Sequence, residues 1–565
     1  MKKINFIFAA LVFFAGCSSS NVPVVEHNVN YTQSDAVENE LDKIQTLLEE
    51  NNVKALWRIS LVLENIETEK SESLKTQKEF SLTQEIENKA KTVFEKCTES
   101  VAESYANALN EQNYFDAIRY FKSLQSCGYK DLGKLKLNEK QLAALAYKDV
   151  PGLGNTSSSG KAAKVSDMIK GTVTVYVDKG IKVQNGIGTS DGVLGSGFFI
   201  SKDGYIVTNH HVIEDCVSKK YEGYSRLYIK IAEDPDTKIP AKVVGYDSLL
   251  DLALLKTEID APYVFTLGSS SSLDVGDRVY AIGSPLGLER TLTSGIVSAK
   301  DRQLLAAGSV FQIDAAVNSG NSGGPLIDQD GNVQAVVFAG VQNYQGLNFA
   351  IPVEYLKYEL PYLYSGGERI IPWTGSYGKT KKMSGSGTKN EGLLVNYVMP
   401  GGSSYRSGIS ENDVIISFDG KKITSLEDFQ CCLMMSPQDV IVKCGVLDEN
   451  ENVREKLVYL EKRPENPGYE VYTHDIFQDS LYPVLGMKLV SVSSNLKKCS
   501  VVSVIKGSAA EDFGFSEGDP VEVINYIVNK EKSMALIEIY AKKRKSGFLD
   551  VSVGLTVPLD SPYYF

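Results

Sequence analysis

The sequence predicts a multidomain, mainly β chain behind a helical N-terminal region, and three observations predict it. Between Pro23 and Pro151 there is no proline, glycine is rare, and Leu, Ile and Val recur at helical spacing. From about residue 165 the pattern changes to short alternating runs separated by Gly, Asp and Asn turns. Near the end of the chain, 392–420 and 500–525 repeat one arrangement of strand, glycine turn and short helix. A length of 565 residues exceeds what one hydrophobic core serves, and roughly three to four domains follow from it.

Hydrophobic residues make up 43% and charged residues 23%, the balance of a folded globular chain rather than a disordered one. The 71 acidic residues outnumber the 59 Lys plus Arg, which excludes nucleic acid as a main partner, because phosphate binding needs a basic footprint. No Cys-x-x-Cys or His-Glu-x-x-His pattern occurs and there are only four histidines, so neither a metal nor another cofactor is expected.

At the start, Lys2 and Lys3 precede an unbroken apolar run over 6–15, then Gly16 and Cys17. This is export-signal architecture, too short for the ~20 apolar residues that span a bilayer. Phe14-Ala15-Gly16-Cys17 resembles a bacterial lipobox, with Phe where Leu is usual. The resemblance implies a signal peptide over 1–17 and lipidation of Cys17, hence a periplasmic protein of the bacterial cell envelope that meets the membrane through a lipid anchor. A plain secretory signal with a chance cysteine is the other reading. Of the eight cysteines, Cys97, Cys127, Cys216, Cys431, Cys432, Cys444 and Cys499 then remain; Cys97 and Cys127 are able to staple two helices, but free thiols are the preferred expectation.

The α-helical N-terminal region covers 18–150. Leu41, Ile44 and Leu48, then Leu56, Ile59 and Leu63, mark apolar helix faces. The stretch 106–124 looks somewhat like one tetratricopeptide helix pair, and a helical hairpin or stalk is the plainer description. A Gly/Ser-rich linker follows over 151–164. Strands are expected at 172–177, 197–201, 205–208, 227–231, 242–246, 252–256, 278–282, 295–299, 311–313, 325–327, 333–338 and 347–351, the pattern of antiparallel barrels or sandwiches. Asp328-Gln329-Asp330-Gly331 has the chemistry of a hairpin turn. A second composition break at 375–392 precedes the two repeats.

Three separated pieces of the strand-rich region supply a nucleophile, a base and an orienting acid. Gly320-Asn321-Ser322-Gly323-Gly324-Pro325 surrounds a serine with small residues, so the backbone bends sharply and presents amides to an oxyanion. His211 closes Tyr205-Ile206-Val207-Thr208-Asn209-His210-His211, at the end of an alternating strand, and an imidazole suits the base that takes and returns the serine proton. Asp251 heads an apolar strand, where burying a carboxylate is costly unless it is hydrogen-bonded, and holding a histidine N–H is such a use. Its competitor, Asp247, reads as an exposed turn residue.

With these residues, Gly195-Ser196-Gly197-Phe198, the segments 277–285, 293–298 and 314–318, and Asn348-Phe349-Ala350-Ile351-Pro352 follow one another in the order of a known family. The block resembles the HtrA/Deg serine proteases, and its chain order His, Asp, Ser separates it from subtilisin-like enzymes and α/β-hydrolases. The resemblance selects His211 over His210, since an aliphatic pair follows it. It implies a chymotrypsin-like double β-barrel over 165–365 with the triad His211, Asp251 and Ser322 in the cleft. It also implies an oxyanion hole from the amides of Gly320 and Ser322, and a small apolar substrate pocket near Ala316 and Leu347. Ser319 departs from the family, which has proline there.

The two repeats resemble PDZ domains, placed at 368–462 and 468–565. That resemblance implies capture of peptide C-termini by strand addition, with the loop Val484, Leu485, Gly486 and Met487 binding peptide in the second module and 373–377 less clear in the first. The combined expectation is an ATP-independent serine endopeptidase that degrades unfolded or damaged envelope proteins and peptides, assembled as a homo-oligomer, a trimer or a multiple of it. The rival expectation is a lipid-anchored chaperone or peptide-binding pseudoprotease.

Overall fold

The computed structural model describes residues 33–76, 82–153, 164–184, 186–284, 291–305, 307–317, 320–340, 347–381, 391–492, 497–543 and 549–565. Cys17 with its lipobox, most of the 151–164 linker and Ser319 lie outside the described residues.

Helices α1 (Ser34–Glu50), α2 (Asn52–Thr76), α3 (Gln84–Asn110), α4 (Tyr114–Ser126) and α5 (Glu139–Ala146) build the N-terminal region. Their starts are satisfied by side chains: Thr83 accepts from the Ile86 amide, Asn113 from that of Asp116, and Asn138 forms a capping box with Gln141. The spaced residues Leu41, Ile44, Leu56 and Ile59 are buried together with Val93 and Val101. The region is not a free stalk. Trp57 stacks on Tyr459 at 5.4 Å and its Nε1 donates to the Leu457 carbonyl at 2.9 Å, while Ser126 Oγ donates to the Ile441 carbonyl at 2.9 Å. The helices thus cover a sheet face more than 300 residues downstream that would otherwise be left wet.

After α6 (Val165–Gly171) come β1 (Thr172–Gln184), β2 (Ile187–Phe199), β3 (Tyr205–Thr208), α7 (His210–Val217), β4 (Arg226–Lys230), β5 (Ile239–Asp247) and β6 (Leu252–Thr257). Their order is β5-β4-β1-β2-β3-β6, closed by pairing of β5 with β6. A second barrel, in the order β10-β11-β12-β9-β8-β7, is made by β7 (Arg278–Gly283), β8 (Thr291–Arg302), β9 (Val310–Ile313), β10 (Pro325–Ile327), β11 (Val333–Gly340) and β12 (Asn348–Pro352). Period-two alternation fills each interior, with Val173, Val175 and Val177 in the first and Val279 and Ala281 in the second. The hairpin turn falls where the sequence expects it, Asp328 Oδ1 accepting from the amides of Asp330 and Asn332 at 2.9 Å. Helix α8 (Val353–Ser365) then returns to the first barrel, so close that a Cβ on Gly245 would stand 2.3 Å from the Leu363 carbonyl.

Strand β13 (Gly367–Glu368) pairs with β5 and leads into β14 (Pro372–Trp373), β15 (Ser376–Lys381), β16 (Gly392–Val398), α9 (Ser403–Arg406), β17 (Val414–Phe418), β18 (Lys421–Lys422), α10 (Leu426–Met434), β19 (Val440–Leu447) and β20 (Val453–Lys462). The sheet runs β14-β20-β19-β17-β16-β15, which leaves β15 at an edge. The last unit holds α11 (Pro467–His474), α12 (Phe477–Leu485), β21 (Met487–Ser491), β22 (Lys498–Val504), α13 (Ala509–Asp512), β23 (Pro520–Asn529), β24 (Met534–Lys543) and β25 (Leu549–Pro558), with the strands in sequence order.

The repeat seen in the sequence is a repeat of backbone. Gly401 and Gly507 have φ of +78° and +74° ahead of α9 and α13, and Gly408 and Gly514 have +73° and +79° behind them. Asp413 and Asp519 each accept, at 2.9 Å, from the amide three residues earlier. The modules differ in one wall: among the described residues α10 has no counterpart between β23 and β24.

Candidate active site

His211 lies on the first turn of α7 rather than at a strand end, because the chain turns helical directly after β3. Its Nδ1 is 2.7 Å from Asp251 Oδ2, and its backbone amide donates to Asp251 Oδ1 at 2.8 Å. Both carboxylate oxygens are thereby committed to one residue, which fixes the ring and leaves Nε2 on the far side from the acid. Asp251 has φ +55°, an uncommon conformation for a non-glycine residue, and Asn209 Nδ2 donates to its carbonyl at 2.8 Å.

Asp247 is not the exposed turn residue that its sequence context suggests; it is fully buried. Its Oδ1 accepts from the amides of Leu249 and Leu250 at 2.7 and 2.9 Å, closing the turn that delivers Asp251. Burial pushes its carboxyl up to about 6, against the pull of those amides and of Arg369. His210 stacks on Tyr246 at 5.1 Å, and burial lowers its pKa below the usual imidazole range against the pull of the Asp251 charge.

Ser322 belongs to the second barrel and is held by the first. The Ser196 amide donates to the Ser322 carbonyl at 2.7 Å, and Ser196 Oγ donates to the Gly320 carbonyl at 2.6 Å. Gly323, at φ +85°, has room for nothing more: a Cβ there would stand 2.2 Å from the Ser196 carbonyl, 2.4 Å from Thr208 Oγ1 and 3.0 Å from the Asn209 nitrogen. The Ser322 turn therefore packs directly on the segment that leads into His211. A Cβ on Gly195 would meet both Val212, at 2.6 Å, and the Ser322 carbonyl, at 3.1 Å.

The Ser322 hydroxyl donates to the Phe338 carbonyl at 3.3 Å rather than to His211. Among the described residues the amides of Gly320 and Ser322 have no acceptor. Ala316 is exposed and its carbonyl accepts from Thr293 Oγ1 at 3.0 Å; Leu347 is part-exposed immediately before β12. Val484, Leu485, Gly486 and Met487 span the end of α12 and the start of β21, with Gly486 at φ +86°. Gly375, at φ +81°, is their equivalent in the first module, since each glycine carbonyl accepts at 2.8 Å from the amide of the residue just past a later strand of its module, Met399 after β16 or Ile505 after β22.

Sequence reasoning missed Ser196, Thr208 and Asn209 as supports. Their only signal is position: Thr208 and Asn209 stand just before the His210-His211 pair and Ser196 lies between two glycines, and a buried Ser, Thr or Asn needs a partner.

Comparison with known proteins agrees with this geometry. Residues 195–336 match the trypsin-like peptidase domain, 394–444 a PDZ domain, 468–559 the TP0546 family PDZ domain and 35–146 a domain of unknown function, DUF8517. A probable periplasmic serine endoprotease, DegP-like, of Chlamydia trachomatis is 31% identical over 59% of this chain and 67% of its own length. Its counterpart in Chlamydia pneumoniae is 32% identical over 60% of this chain and 69% of its own. A solved HtrA-type protease AlgW with decapeptide shares 26% identity, covers 53% of this chain and 98% of that one, and superposes with a TM-score of 0.43. Such identity, sustained over two thirds of the relatives' length, together with the peptidase-domain match, makes the chain a member of the HtrA family of chymotrypsin-like serine proteases, with two PDZ domains behind the protease domain.

Proposed function

We propose that Ser322, His211 and Asp251 form the catalytic triad of an ATP-independent endopeptidase working through an acyl-enzyme. The observation that carries the reading is the doubly bonded His211–Asp251 pair, 2.7 and 2.8 Å, on the segment against which the Ser322 turn packs. Rotation of Ser322 Oγ away from Phe338 brings its proton to His211 Nε2. The oxygen attacks the substrate carbonyl, and the amides of Gly320 and Ser322 receive the oxyanion. His211 then passes the proton to the leaving amine, and water, deprotonated by the same imidazole, releases the acyl group.

Ala316 and Leu347 line the pocket for the residue before the scissile bond in this reading. The substrates are unfolded or damaged envelope proteins, and the PDZ domains take peptide C-termini, the loop 484–487 in the second among them. Cys17 is lipidated and anchors units spanning 18–150, 165–365, 368–462 and 468–565 to a membrane on the periplasmic side, in a homo-oligomer built on trimers. The periplasmic naming of the relatives supports the compartment.

One observation favours a second reading, a chaperone or peptide-binding pseudoprotease: the Ser322 hydroxyl is engaged by Phe338. A fluorophosphonate probe separates the two. Labelling of the wild type and not of Ser322→Ala, together with cleavage of unfolded casein, supports the protease; a wild type that stays unlabelled with casein and activating peptides present overturns it.

A further inference from the structure

The edge strand β15 of the first PDZ domain is paired, and its partner is the chain's own segment 561–565. The Ser376 amide donates to the Phe565 carbonyl at 2.8 Å, the Phe565 amide returns a bond to the Ser376 carbonyl at 2.9 Å, and the Gly378 amide donates to the Tyr563 carbonyl at 3.0 Å. Tyr564 stands opposite Tyr377 in antiparallel register. Thr374 Oγ1, in the loop equivalent to 484–487, adds a bond to the Phe565 carbonyl at 3.0 Å, and Gln430 Nε2 on α10 donates to the Pro562 carbonyl at 2.6 Å. Strand β15 on one side and helix α10 on the other enclose the segment.

Side chains alternate along it as in any strand. Phe565 is 1% exposed and its ring meets Phe429 of α10 edge-on at 5.1 Å, in the core that also holds Phe418 and Leu426. Tyr563 lies 5.7 Å from the Tyr377 ring, with Lys379 Nζ 4.2 Å from its own ring. Tyr564 points the other way, into the cluster with Trp373, Tyr397 and Tyr482 between the two PDZ domains. Gly378 is what lets the Phe565 ring approach: a Cβ there would stand 3.1 Å from it and 2.2 Å from the Leu394 carbonyl. Just upstream, Arg463 donates to both oxygens of Asp560 at 2.8 and 2.7 Å, which pins the entry of the segment.

We propose that 561–565 is an intramolecular ligand of the first PDZ domain. The groove between β15 and α10 selects peptides with an aromatic residue two positions before a Phe, and outside peptides of that chemistry enter only when the chain's own segment leaves. This rests on the reading that the PDZ domains take peptides and deepens it by naming the side-chain chemistry and the resident competitor. Among the described residues the second PDZ domain has no helix equivalent to α10, and the two-walled groove is that of the first.

A tethered competitor acts at an effective concentration on the order of millimolar, enough to weaken a micromolar outside peptide by about tenfold or more. The test is fluorescence anisotropy with an N-terminally labelled Ser-Pro-Tyr-Tyr-Phe peptide, in the Ser322→Ala background so that it is not cut. The full chain, the chain without 561–565 and Phe565→Ala are compared, each checked for a native thermal transition. The two variants are expected to bind at least about tenfold more tightly than the full chain, and a Ser-Pro-Tyr-Tyr-Ala peptide to bind neither. Hydrogen exchange at the Ser376 and Gly378 amides is expected to be slow in the full chain, fast in both variants and slow again when peptide is added. Equal affinity for full chain and variants overturns the intramolecular ligand and leaves peptide binding standing. A folded variant that binds nothing, with both amides still exchanging fast, overturns the groove as a peptide site altogether.

Discussion

Arg369 and Glu359 form an ion pair, Nε to Oε2 at 2.9 Å, sealed from solvent where the protease domain meets the first PDZ domain. The guanidinium also donates to the carbonyls of Met434 and Ser436 at 2.9 and 2.8 Å, at the end of α10, and lies 3.7 Å over the Tyr362 ring. One side chain thus binds the last helix of the protease domain to the groove helix of the PDZ domain. Replacing it strands a buried carboxylate and two carbonyls. Arg369→Met is expected to lower stability by about 3–5 kcal/mol, and Arg369→Met with Glu359→Gln by less than the sum of the single changes. Urea unfolding of the three variants measures both, and additive losses would show that the pair is not coupled.

Asp247 gives the protease a pH-dependent stability. Desolvation raises its carboxyl from 3.8 to about 6. The folded state therefore holds this proton more tightly than the unfolded chain. The stabilisation is complete below about pH 4 and lost as pH rises through about 6. For Asp247 the span is on the order of 3 kcal/mol. Asp247→Asn keeps an acceptor for the Leu249 and Leu250 amides and removes the titration. The fall in melting temperature between pH 4 and 6 is expected to flatten in this variant, and an unchanged slope would locate the titration elsewhere.

Asp251→Asn tests the orienting role without changing shape. The amide oxygen still accepts from the His211 backbone, but its NH2 then faces Nδ1 and forces the tautomer with the proton on Nε2, which is unable to take one from Ser322. A loss of about 10⁴ in kcat is expected with KM little changed. A loss below about tenfold, in peptide cleavage assays at saturating substrate, would remove Asp251 from the triad.

The barrels and the three candidate catalytic residues were legible because their signals are local. Val173, Val175 and Val177 alternate within one strand, and Ser322 sits among glycines that a sharp turn requires. Asp247 was misread because its local signal, a Gly245-Tyr246-Asp247 stretch before a strand, is that of a surface turn, while its burial comes from α8, more than a hundred residues later. Trp57 carried no hint of Tyr459, nor Phe565 of Ser376, for the same reason: each contact joins surfaces that are distant in sequence and complementary only once folded. The loop 484–487 was read from its own motif, whereas its equivalent at Gly375, followed by an insertion, was obscure in sequence and is the one found holding a peptide segment.

Gly323 packs the Ser322 turn against the segment that leads into His211. Its φ of +85° disfavours a side chain, and the added carbon of Gly323→Ala would fall 2.2 Å from the Ser196 carbonyl, which belongs to the strand end that also bonds Ser322 and Gly320. Neither neighbour is a flexible side-chain end, since the Ser196 carbonyl and the Asn209 nitrogen are both backbone. Relief therefore requires the Ser322 turn to back away from the His211 segment, and a displacement of 1 Å at a reacting centre costs about a hundredfold in rate. Gly323→Ala is expected to lose at least that factor in kcat/KM on an unfolded substrate and most of its fluorophosphonate labelling, while PDZ peptide binding is unaffected. Retention of labelling at the wild-type rate would show that the serine reaches its base by a route that does not pass through this contact.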